Sequence, residues 1–431
     1  MRILHCLAAS LAALALAACA TQQPTGTHSL HQASHPAAEA PLVVLFAVDG
    51  LRWDSLELYD VPNMQALARR GMQPQALIPV TPTSTFVQFY SMATGLHPED
   101  HGILNNATWD AELQERFTNP ASQRDPRWWH GEPFWITAER QGIRTAIQFW
   151  LGSENSFDGD RASRWFPYHH VMPYEDRVAA AMTWLDGPEE IRPQLIALYF
   201  DEPDSSGHRY GPDSDGYGAA IARVDEMLGL MIDELDARGL LERTDIVFLS
   251  DHGMAELSTE RVISIDEAFD ISTVFIPEVH GMWGNSYQPY MNVYGEPDAI
   301  EAAYAAMDGL HPNMRVWRRG EMPEHIRIDH PTRGPDLLVM ADAGWMLTSS
   351  QLPQPQRSLM RGTHGYDAND PSMHAVIIGA GPSFPAGEQT DPVRHLDIYL
   401  LVSCLLGFDP VETEGDAEAV SRFTGGRCEV D

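Results

Sequence analysis

Lysine is absent from this chain, and its 28 basic residues are all arginine. Without a side-chain amine, Schiff-base and pyridoxal-phosphate enzymes are excluded, as are P-loop nucleotide hydrolases, which hold phosphate with a lysine. Positive charge is scarce altogether: 61 acidic residues bring the formal net charge to −33. Such a chain has no electrostatic footprint for DNA or RNA, which excludes a polymeric nucleic acid as partner. If the substrate is a small anion, something local must reverse the field, and bound divalent cations do so directly. Long apolar runs are also missing, apart from one near the amino terminus that falls short of the roughly 20 residues a membrane-spanning helix needs. What remains is 431 residues with 44% hydrophobic and 21% charged side chains, which places the chain among globular proteins, at the size of one large α/β domain with a cap.

The amino terminus reads as a processing segment. Met1 and Arg2 form a short basic start, an apolar run continues through Leu11 to Ala18, and Leu16-Ala17-Ala18-Cys19 looks like a bacterial lipobox. It predicts a signal peptide over residues 1–18, with lipid on Cys19 anchoring the protein to the bacterial membrane at the periplasmic or outer face. The alternative is a plain secretory signal cut after an alanine, which leaves a soluble periplasmic or secreted protein; both export the chain. Residues 19–40 are mostly Thr, Gln, Ser, His, Ala and Pro with little to pack and read as a tether, in which His31 and His35 are expected to be solvated. Cysteine is rare, with four in all. Cys6 leaves with the signal and Cys19 carries lipid, so Cys404 and Cys428 are expected to form a disulfide that pins the carboxyl terminus in an oxidising compartment.

Residues 41–431 read as one catalytic domain. Leu42 to Val48 is an unbroken apolar run stopped by Asp49-Gly50, the pattern of a strand buried in a parallel sheet. Leu195–Phe200, Thr244–Ser250 and Ala375–Ala380 repeat it, while Val61–Arg70, Asp215–Leu240 and His395–Leu406 have helical spacing. Strands alternating with helices predict a doubly wound α/β sheet, with ligands beyond the carboxyl ends of its strands. The segments 111–173 and 262–361 are richer in aromatics, Pro and Gly and weaker in periodicity, so they are expected to include rim and cap elements. Trp128, Trp129 and Trp135 among them read as packing.

Asp49, Asp204 and Asp251 each follow an apolar strand. One such Asp is usually a turn or cap residue; three at one sheet edge make a candidate metal site. His208 stands four positions after Asp204, a spacing that stacks the two on one face of a helical turn. His252 follows Asp251 directly, and His364 lies in the glycine-punctuated Gly362-Thr363-His364-Gly365. Mixed Asp and His ligands favour zinc, with manganese and iron as chemical alternatives. Thr83, Ser84 and Thr85 open a helix running to Thr94, where unpaired N–H groups suit a phosphate. The residues alone do not choose among these three hydroxyls.

Several stretches, taken together, resemble the nucleotide pyrophosphatase/phosphodiesterase family of the alkaline phosphatase superfamily. They are Asp49 to Arg52, Pro82 to Phe86, Thr94 to Ile103, Gly131 to Trp135, Glu202 to His208, Ser250 to Met254 and Thr363 to Asp367, in the family's order and across nearly all of residues 41–385. The resemblance implies an alkaline-phosphatase-like fold with a small cap over the active site. It implies two zinc ions per chain, one held by Asp49, Asp251, His252 and the nucleophile Thr85, the other by Asp204, His208 and His364. It gives Asn106 the role of donor to a phosphoryl oxygen, and Phe86 and Tyr199 that of an aromatic pair around a nucleobase. The implied activity is hydrolysis of nucleotide phosphodiester and pyrophosphate bonds through a phosphothreonine on Thr85, for example of a nucleoside triphosphate to the monophosphate and pyrophosphate. Phosphonoacetate hydrolases and diesterases of choline lipids are the nearest alternatives, and a non-catalytic, lipid-anchored binding protein the remotest. The chain departs from the family at Val87-Gln88-Phe89, where Pro-Asn-His is common, which puts local packing behind the nucleophile in question. The sulfatase motif does not occur at the nucleophile.

Overall fold

The computed structural model describes residues 41–117, 121–266, 269–277, 287–349 and 360–428. The signal segment, the lipidation candidate Cys19 and the tether lie outside the described residues.

A single sheet of eight strands organises the molecule. In chain order these are β1 (Leu42–Asp49), β2 (Met72–Pro74), β3 (Thr145–Gln148), β4 (Arg164–Phe166), β5 (Leu195–Pro203), β6 (Thr244–Ser250), β7 (Ile377–Ala380) and β8 (Glu388–Thr390). They lie side by side as β8-β2-β7-β6-β1-β5-β3-β4. All pairings are parallel except those β7 makes with β6 and β2. The fold is therefore a mixed α/β architecture with a mostly parallel sheet. β4 is an edge strand of three residues and β3, its neighbour, has four; both lie inside the weakly periodic segment and are too short for a repeat of two to be legible.

Every residue of β1 is buried because both faces of the sheet are covered. Val44, Phe46 and Val48 face a core shared with α1 (Pro62–Arg70), α4 (Tyr174–Thr183) and α6 (Asp215–Ala237). Val43, Leu45 and Ala47 face the opposite core, built with α2 (Thr85–Thr94), α3 (Phe134–Arg140) and α7 (Asp397–Leu406). At about 1.5–3 kcal/mol for each large apolar side chain buried, this alternation fixes β1 in register at the centre. Trp128, Trp129 and Trp135 are buried in the second of these cores. A smaller unit beside the sheet has its own core around Met291, Val293, Ile300 and Val339, on three antiparallel strands, Tyr290–Val293, Leu337–Ala341 and Met314–Arg318.

Cys404, in α7, is bonded to Cys428, 24 positions on. Closing a loop of that length removes about 3 kcal/mol of freedom from the unfolded chain. Replacing both cysteines by alanine is therefore expected to lower unfolding stability by about that amount. An unchanged urea midpoint would show that the bridge contributes nothing to stability.

Candidate active site

The site forms where β1, β5 and β6 end together. A register shift after Val48 sets Asp49 opposite Pro203, so the carboxylate closing β1 arrives beside Asp204, the first residue of the short helix α5 (Asp204–Tyr210). Gly50 makes this approach possible: its φ is +72°, and a Cβ there would stand 2.8 Å from the Asp204 Cα. Asp251 and His252 follow β6 directly and are fully buried.

Two groups of ligand-type side chains converge there. Asp204, His208 and His364 form one; Asp49, Asp204 and His252 form the other, the ligand atoms of each lying within 4.8 Å of one another. Asp204 thus belongs to both groups. Asp251 stands just behind the second: its Oδ1 accepts the N–H groups of Gly50 at 3.0 Å and His252 at 2.9 Å, and its Oδ2 lies 3.1 Å from His252 Nε2.

The donor chemistry fits cations at both groups. Each imidazole gives its Nδ1 proton to a backbone carbonyl: His208 to Gly362 at 2.9 Å, His252 to Gly253 at 2.9 Å and His364 to Thr83 at 2.7 Å. A carbonyl can only accept, so Nδ1 is the protonated nitrogen and Nε2 presents a lone pair. Those lone pairs face carboxylate oxygens: His252 Nε2 is 3.4 Å from Asp49 Oδ1, and His208 and His364 Nε2 are each 3.4 Å from Asp204. Asp49 Oδ1, Asp204 Oδ1 and Asp251 Oδ2 are buried and accept no hydrogen bond. Two acceptors facing each other away from water repel unless a cation lies between them. The acid–base balance agrees. Burial first, then the charge of a neighbouring carboxylate, pushes Asp49, Asp204 and Asp251 well above the usual carboxylate range. Burial pushes His252 down to about 3 and lowers His208 and His364 as well. Neutral imidazoles beside crowded carboxylates are a donor set that fits a cation.

The three consecutive hydroxyls separate once their partners are traced. Thr83 Oγ1 donates to the Tyr366 carbonyl and accepts the Gly365 N–H at 2.9 Å, while its own carbonyl orients His364. Ser84 Oγ is 2.9 Å from the Tyr290 hydroxyl. Thr85, the first residue of α2, alone meets the ligand cluster, with its Oγ1 3.2 Å from His252 Nε2. Gln88, in the divergent stretch, pins the approach to this turn: its amide donates to the Val80 and Pro82 carbonyls and accepts the Val80 N–H, and His395 Nδ1 lies 2.7 Å from its Oε1. The departure at this position therefore concerns support of the turn.

A cavity of about 700 Å³ opens from the cluster. Asp49, Thr85, Asn106, Asp204, His208 and His364 line it, together with the aromatic side chains of Phe86, Phe149, Tyr168 and Tyr199. Tyr199 is nearly buried, and its hydroxyl donates to Asp49 Oδ2 at 2.5 Å, so this ring is tied to the ligand cluster. Tyr168, to which nothing in the sequence pattern pointed, is half-buried like Phe86, whereas Phe149 and Tyr199 are buried; it lies in a loop with neither helical nor strand period.

A model of the type I phosphodiesterase/nucleotide pyrophosphatase family matches residues 43–367. The chain belongs to this family. Among its relatives, the bis(5'-adenosyl)-triphosphatase of Xenopus laevis is 31% identical over 86% of this chain and 78% of its own length. The venom phosphodiesterase of Crotalus durissus collilineatus is 31% identical over 88% of this chain, which spans only 45% of that longer protein. Among solved structures, murine ectonucleotide pyrophosphatase/phosphodiesterase 5, as an inactive variant in complex with AMP, superimposes with a TM-score of 0.82 at 28% identity, covering 89% of this chain and 100% of the other. This family member has two clusters compatible with metal coordination and a threonine close to one of them, the arrangement of a two-metal hydrolase.

Proposed function

We propose that this phosphodiesterase hydrolyses nucleotide phosphodiester and pyrophosphate bonds, with Thr85 as nucleophile and zinc at both clusters. The observation that carries the reading is Thr85 Oγ1 set against the Asp49, Asp204 and His252 group at the mouth of an aromatic-lined cavity. Mixed nitrogen and oxygen donors suit zinc. Asp49, Asp251, His252 and Thr85 would hold one ion, and Asp204, His208 and His364 the other. Bound there, the ions supply Lewis acidity that lowers the pKa of the Thr85 hydroxyl and offsets charge developing on the phosphoryl oxygens.

The chain's own residues do the rest. Thr85 Oγ1 attacks phosphorus, the bond to the leaving-group oxygen breaks, and the nucleotidyl group rests on Thr85 as a phosphothreonine diester. Water then cleaves the new bond and frees the hydroxyl; two inversions give net retention. Asn106 accepts the Phe86 N–H at its Oδ1, 3.2 Å away, which leaves Nδ2 as the end that donates to a non-bridging oxygen. Phe86 and Tyr168, which line the cavity, would pack against a nucleobase, and Tyr199 orients Asp49 through its hydroxyl.

The cavity leaves room for an organic group on phosphorus, and among the described residues that line it there is no arginine to neutralise the additional charge of a monoester. The kcat/KM of zinc-loaded protein for a nitrophenyl nucleotide diester is therefore expected to exceed that for nitrophenyl phosphate by at least about 100-fold. Near-equal values would sink the diester reading. The lipobox reading places the mature protein outside the cytoplasm on a lipid anchor at Cys19, and kinship with a venom phosphodiesterase favours export. Mass spectrometry of the mature amino terminus separates a lipid anchor from a plain cleaved signal.

A further inference from the structure

Tyr168 and His170 reach the cavity from the loop between Pro167 and Pro173, which is neither helix nor strand. Two charged groups with no part in the chemistry hold this loop. Arg177, in α4, is fully buried. Its Nε donates to the Met172 carbonyl at 3.2 Å and its Nη2 to the His170 carbonyl at 3.2 Å, which fastens the loop. Its Nη1 donates to the Tyr199 carbonyl at 3.1 Å and lies 2.8 Å from Asp201 Oδ1, which fastens the same guanidinium to β5. That strand carries Tyr199 beneath Asp49 and ends at Asp204. Glu154 Oε1 accepts the Tyr168 N–H at 2.8 Å, while Arg124 Nε donates to Glu154 Oε2 at 2.7 Å. Glu154 stands in the cavity wall, yet both its oxygens are committed to protein partners.

Burying a guanidinium costs free energy that an apolar side chain of similar volume would avoid. Planar and with five donors, Arg177 does what no apolar residue can: it fixes two loop carbonyls and one strand carbonyl in a single geometry. We propose that Arg177 and Glu154 are positioning residues that hold Tyr168 as a wall for the substrate's nucleoside, without themselves touching substrate. The inference rests on the nucleotide diesterase reading above. It makes recognition of the organic group separable from the chemistry at phosphorus.

The test compares two diesters with the same leaving group, nitrophenyl thymidine phosphate and methyl nitrophenyl phosphate, on zinc-loaded full-length protein. In Arg177→Lys, KM for the nucleoside diester rises about tenfold with kcat little changed, the scale set by loss of one base–aromatic contact. For the methyl diester, kcat/KM stays within about twofold of wild type, because no ring is needed to hold a methyl group. If Arg177→Lys does not fold, Glu154→Leu, which keeps about the size and removes the acceptor of the Tyr168 N–H, gives the same split. Equal losses on both diesters in a folded variant, or no loss on the nucleoside diester, overturn the proposal. A wild-type protein with no preference for the nucleoside diester over the methyl diester overturns the functional reading instead.

Discussion

Thr85→Ala lowers kcat for a nitrophenyl nucleotide diester by at least about 10⁴-fold, the scale of loss when a covalent nucleophile is removed. The reason is positional. Thr83 and Ser84 are engaged by Tyr366, Gly365 and Tyr290, so neither hydroxyl can replace Thr85 without breaking a contact that holds the turn or His364 in place. Thr85→Ser keeps the attacking oxygen and retains more activity than Thr85→Ala by a wide margin. Single-turnover kinetics, with a search for the phosphorylated residue by mass spectrometry after acid quench, checks both. Activity that survives in Thr85→Ala would mean that another group attacks, and a label on Ser84 would identify it.

Asp204→Asn has the second large effect, because Asp204 belongs to both ligand groups. Metal content falls from two ions per chain toward one or none, and kcat/KM on the diester falls at least about 10³-fold. His208→Asn, at a residue of one group only, removes a single ion. The two states of the variant should move in opposite directions. In metal-free protein, Asp204 is a half-buried carboxylate whose charge adds to Asp49's own burial in raising the Asp49 pKa. Removing it relieves like-charge repulsion, so metal-free Asp204→Asn unfolds at a higher temperature than metal-free wild type, by an amount corresponding to about 1–3 kcal/mol. Calorimetry with and without chelator, beside elemental analysis, reads both effects. Full metal content in Asp204→Asn would show that the carboxylate is no ligand. Equal stability of the two metal-free proteins would show that the repulsion is absorbed elsewhere.

Much of this site is written in local patterns. The runs that became β1, β5 and β6 are apolar because both faces of a parallel sheet are buried, and the Asp after each marks the edge where ligands bind. The Asp204 to His208 spacing became a helical turn, as periodicity requires. Boundaries shifted where packing decided them: β5 runs on to Pro203, past the last residue of its apolar run, because it pairs with the displaced end of β1. β3 and β4 had no readable signal, being short strands among aromatic loops.

By itself the sequence determined the residue types, the sheet and helix segments with strong period, and, through the order of its motifs, the family. Tertiary structure alone decided which nitrogen of each histidine is free and that Asp204 joins both groups, and it supplied the contacts that set Thr85, the hydroxyl the resemblance implies, apart from its two neighbours. It also decided that Tyr199 is tied to Asp49 and that Tyr168 joins it in lining the cavity. Each of these turns on a contact between distant positions: His364 with Thr83 across 281 residues, Thr85 with His252 across 167, Tyr199 with Asp49 across 150. A period of two or 3.6 reports only which face of its own element a side chain occupies. Which hydrogen-bond partner waits on that face is settled when the elements pack.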